Sequence, residues 1–90
     1  MSTISEPQEQ FYEWANEAFA KSSFDAKVGN LMGLVAALAL GYDGSVKYFY
    51  FSAKKAGATE EELADVAHIA AAASGLNVYA RMPKDDSEAD

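Results

Sequence analysis

Apolar residues recur every three or four positions along most of the chain, the repeat of helices with one buried side. Phe11, Trp14, Ala15, Ala18 and Phe19 mark one face of a first predicted helix, with Glu9, Glu13 and Glu17 opposite. Ser5-Glu6-Pro7-Gln8 reads as its start: Ser5 caps free N–H groups, Gln8 returns the bond, and Pro7 sits where no donor is needed. Ser22 and Ser23 break the pattern just after Lys21. Asp25 then suits the N-cap of a second helix, through Leu31, Leu34, Val35, Leu38 and Ala39 to Gly41. Positions 31–40 have almost no polar face, which predicts a helix buried on most sides.

A third helix is predicted from about Gly44 to Ala56, with Asp43 as its cap and Gly57 as its left-handed stop. It contains the run Tyr48-Phe49-Tyr50-Phe51. Successive helical side chains point about 100° apart, so no single face hides four rings. Aromatic residues favour strands, but Lys47 before the run and Ser52-Ala53-Lys54-Lys55-Ala56 after it continue a helix. Thr59-Glu60-Glu61-Glu62 is a capping box with acids at the positive end of a fourth helix. That helix is predicted over 60–74, with Leu63, Val66, Ala67, Ala70 and Ala71 inward and Gly75 as its end. A short last helix follows over 76–82. The pattern predicts an all-α bundle of about five helices, a domain over 1–82 and an acidic, disordered tail over 83–90.

Composition narrows the class. Ninety residues, half of them hydrophobic, make one small domain. A domain this small buries only roughly 60–70% of its unfolded surface, and assembly is a common remedy. The net charge is −7, of which the tail supplies −3 and the rest −4. Such a body repels nucleic-acid backbones and anionic membranes, so neither is an expected partner. The polar start MSTISEPQEQ lacks the basic-then-apolar pattern of a signal peptide, and a cytoplasmic location is expected. With no Cys, disulfides, thiolate ligands and thiol redox chemistry are all excluded. One His, no Cys and no His-x3-His spacing are poor ligand stock, so no metal and no cofactor is expected.

Phe24-Asp25-Ala26-Lys27, residues 31–41, the turn from Ala53 to Leu63 and residues 70–75 follow in an order that resembles the carboxymuconolactone decarboxylase / AhpD-like family. Phe24-Asp25-Ala26-Lys27 is similar to the start of its second helix, and residues 31–41 to its Ala/Leu-rich core helix. The turn Ala53-Lys54-Lys55-Ala56-Gly57-Ala58-Thr59-Glu60-Glu61-Glu62-Leu63 is similar to its consensus, and residues 70–75 to its Ala-rich helix ending in Gly. The resemblance implies an AhpD-like helical bundle that assembles with itself as a dimer, trimer or hexamer. It also implies where an active site belongs. Redox members carry a Glu, then Cys-x-x-Cys, then a His one turn further on. Those positions fall on Asn30, Tyr42, Ser45 and Phe49. A thiolate must attack the peroxide and a disulfide must close the cycle. A phenol, an unactivated hydroxyl, an amide and a phenyl ring do neither. Alkylhydroperoxidase activity is therefore expected to be absent.

Two functional classes remain. In the first, the chain is a ligand-binding or interaction scaffold. Tyr42, Ser45 and Phe49 share one helical face, and the scaffold implied by the resemblance puts Asn30 nearby. They either form a reshaped pocket for a small-molecule ligand or, the favoured reading, fill it with aromatic bulk. Tyr48, Tyr50 and Phe51 are the expected oligomer interface. In the second class, His68 is the catalytic acid–base group of a lactone- or carboxylate-processing enzyme, with Tyr42 as donor. The bland alternative makes His68 a hydrogen-bonded structural residue, with Asp65 within local reach.

Overall fold

A computed structural model describes residues 5–84 of the chain. Four helices follow one another: α1 Glu6–Ala20, α2 Ala26–Leu40, α3 Asp43–Lys55 and α4 Glu60–Arg81. No strand occurs among the described residues. No helix there is long and apolar enough to cross a membrane. The expected acidic tail lies, from residue 85 onward, outside the described residues.

Most of the boundaries follow the predicted chemistry. The Ser5 hydroxyl accepts from the Gln8 N–H at 3.3 Å, and an Asp25 carboxylate oxygen from the Val28 N–H at 2.8 Å. Gln8 does not return the bond; its amide donates to the Tyr12 hydroxyl at 3.3 Å. Gly41, at φ 79°, and Gly57, at φ 103°, take the left-handed conformation that ends or follows a helix. At α4 the capping box is complete. Glu62 N–H donates to the Thr59 hydroxyl at 3.0 Å, and Thr59 N–H donates to the Glu62 carboxylate at 2.9 Å.

Two boundaries differ. Asp43 does not cap α3; it is the first helical residue, and Tyr42 holds the cap position with no side-chain bond. Asp43 still favours the helix as an acid in its first turn. Gly75 does not end α4, and the predicted fifth helix is the last part of the fourth. Gly75 keeps a negative φ, so the helix runs on through Leu76 and Tyr79 to Arg81. The stop is instead Met82, at φ −64° and ψ 130°, because a residue before proline is driven from helical to extended backbone.

The centre is α2, packed on α3 and α4 and only lightly on α1. Leu34, Ala53, Leu63 and Val66 form the buried cluster, flanked by Leu31, Val35, Val46, Phe49, Tyr50 and Ala58. Glycine sets the α2–α3 distance: a Cβ on Gly33 would lie 2.5 Å from the Phe49 ring. Lys27 of α2 and Glu62 of α4 form an ion pair at 3.0 Å across the same seam.

This core is small. Six apolar residues are buried, three of them alanines, against sixteen large apolar side chains exposed among the described residues. α1 buries none of its residues, and α2 buries only Leu34 and Ala37, so the predicted all-round burial of 31–40 is not met within one chain. Of the inward set predicted for α4, Leu63, Val66 and Ala70 are buried, whereas Ala67 and Ala71 are exposed. The radius of gyration is 17.6 Å. A compact domain of this length has about 12 Å. The chain is an open arrangement of helices around one seam.

Candidate functional site

A cleft of about 840 Å³ opens between α1 and the α2–α3 pair. Its α2 wall is Ala26, Gly29 and Asn30, with Asp25 at the preceding cap. Tyr42, Gly44, Ser45, Tyr48 and Phe49 form the α3 side. The opposite wall is Phe11, Tyr12, Ala15, Asn16, Phe19 and Ala20 of α1. Asn30, Tyr42, Ser45 and Phe49, placed at one site by resemblance, all line this cleft.

Each of the four is held differently. The Asn30 amide nitrogen donates to the Ala26 carbonyl one turn earlier, at 2.8 Å. Ser45 is half-buried at the start of α3, while Tyr42 stands 68% exposed at the rim. The Tyr42 ring lies over Gly44, where a Cβ would meet it at 3.1 Å. Phe49 seats against Gly33 and meets the Phe19 ring at 5.4 Å, tying α1 to α3. Aromatic bulk thus occupies the Phe49 end, while Tyr42 leaves the rest of the cleft open.

The other candidates separate. Tyr48 lines the cleft, 62% exposed, edge-on to Phe49 at 5.2 Å. Phe51 is exposed on another side of α3. Tyr50 differs from the exposed residues of the expected interface: it is half-buried on the core cluster, with the Lys54 ammonium 5.6 Å from its ring centre. His68 does not line the cleft. It lies between Val66 and Ala70, both buried, and is itself exposed, so it points away from α2. A single chain does not bring His68 to Tyr42. Among the described residues no three His, Asp or Glu side chains gather to hold a metal.

Outside the cleft, Glu62 has a perturbed carboxylate. The Thr59 backbone N–H, and then the Lys27 ammonium, stabilise its charged form and hold it below the usual carboxylate range. Its role is to join a helix start to a neighbouring helix.

A model of the carboxymuconolactone decarboxylase family matches residues 6–82. The chain belongs to this family. No curated protein and no solved structure matches. This carboxymuconolactone decarboxylase family member has no cysteine. Its cleft also has a wall that sequence reasoning missed, the α1 face of Phe11, Tyr12, Ala15, Asn16 and Phe19. Phe11, Ala15 and Phe19 belong to the predicted apolar face, which does not say whether it meets a core or a cleft, and nothing in the apolar pattern marks Tyr12 or Asn16. Asp25 was likewise read only as a cap, although it also lines the family member's cleft.

Proposed function

We propose that this member of the carboxymuconolactone decarboxylase family is a ligand-binding scaffold that works as a homo-oligomer and has no alkylhydroperoxidase activity. The observation that carries the reading is the cleft itself. Its walls offer rings, two amides, the Ser45 and tyrosine hydroxyls and the Asp25 carboxylate, and its chain contains no thiol. Such a surface binds and orients; it has no group to take an oxygen from a peroxide.

The oligomer reading rests on uncovered apolar surface. Met32 separates two shallow grooves. One is bordered by Phe19, Phe24, Gly33 and Ala36, the other by Leu31, Val35, Val66 and Ile69. Leu76, Val78, Tyr79 and Met82 extend the exposed apolar surface along α4. Isolated soluble chains rarely keep so much of it open. A second copy is the occupant that fits, because an open protomer with a small core gains the burial it lacks.

Native mass spectrometry of the freshly purified protein, paired with a peroxide assay, tests both parts. An oligomer retaining a small-molecule mass is expected, with no dithiol-dependent reduction of organic peroxide. A bare monomer overturns the oligomer, and peroxide turnover overturns the scaffold.

A further inference from the structure

Resting on the ligand-binding reading, we propose that the cleft selects an organic cation: an ammonium or related head on an aromatic or apolar body. Two independent features point there. The first is the ring system. Tyr48, Phe49 and Phe19 form a continuous series at 5.2 and 5.4 Å spacing, and Tyr42 stands at the rim. Ring faces carry partial negative charge and attract cations.

The second is the charge inventory. Among the described residues, Asp25 is the one charged residue on the cleft wall, and no Lys or Arg lines it. The nearest basic residue along α3, Lys47, borders a separate groove on the other side of Tyr48. A carboxylate ligand would enter without a countercharge, beside an acid and within a chain of net charge −7. A cation gains from both the acid and the rings.

The test is isothermal titration of the whole protein with three ligands of one shape. These are para-hydroxyphenyl trimethylammonium, its neutral isostere para-tert-butylphenol, and the anion para-hydroxybenzoate. The cation is expected to bind about tenfold more tightly than the neutral isostere, with the anion weakest. Asp25→Asn keeps an equally good helix cap and removes the charge. It is expected to cut the preference by about threefold, the rings keeping the remainder, with the helix content unchanged. Equal or tighter binding of the phenol, or a preference unchanged by Asp25→Asn, overturns the cation proposal and leaves the scaffold reading standing. Binding of none of the three overturns both.

Discussion

The seam between α2, α3 and the first half of α4 differs sharply from the flanks, α1 and the last turns of α4. The seam holds the buried cluster, the Gly33–Phe49 contact, the complete capping box and the Lys27–Glu62 ion pair. The flanks are regular helices with sound starts, yet α1 buries nothing and α4 buries nothing beyond Ala70. Helix formation and core formation are thus separable here. Local signals set where the helices start and stop, and only the seam forms a core within one chain.

The sharpest way to break this contrast is to cut one leucine on each side. Leu63→Ala removes a buried side chain and is expected to cost about 2–5 kcal/mol in chemical denaturation. Leu76→Ala, in dilute protein, is expected to stay within about 0.5 kcal/mol of the parent. Equal losses would mean that the flank is packed after all. Gly33→Ala comes next. The added methyl must displace the Phe49 ring, at about 1–3 kcal/mol, and should perturb ligand binding because that ring also walls the cleft.

Capping gives a smaller and finer comparison. Thr59→Ala is expected to cost about 0.5–2 kcal/mol, since the helix it starts is locked into the seam. Ser5→Ala should fall at the low end, because α1 can fray without opening the core. A cap effect at Ser5 as large as that at Thr59 would contradict the light docking of α1. The smallest effect is the acid response of Glu62. Its folded pKa is depressed, so its contribution is complete above the unfolded value of about 4.3 and fades as pH falls through the lower folded value. Glu62→Gln should therefore lower the melting temperature at neutral pH and flatten its fall in acid. An unchanged acid slope would show that Glu62 is not held as described.

The sequence made the helices legible because caps and left-handed glycines are local devices. Ser5, Asp25, Thr59, Gly41 and Gly57 all act where they were read. It misjudged Gly75 because glycine permits a stop without requiring one, and Pro83 supplied the stop instead. The cleft was half legible. Residue order identified its α2 and α3 walls, but an amphipathic α1 has the same pattern whether it faces a core or a cleft. The position of His68 was not legible at all, since its exposure follows from which side of α4 meets α2.

The passage of α4 through Gly75 has a consequence for its dynamics. The helix has 22 residues, about 33 Å of rod, and its weakest residue by propensity lies just past its last buried one, Ala70. Gly75 is therefore expected to act as a fuse, with the distal turns opening and closing while the proximal turns stay shut. Amide hydrogens should exchange fast from Leu76 onward and slowly around Val66, with a step between them rather than a slope. There is free space for a methyl at Gly75, so Gly75→Ala should blunt that step.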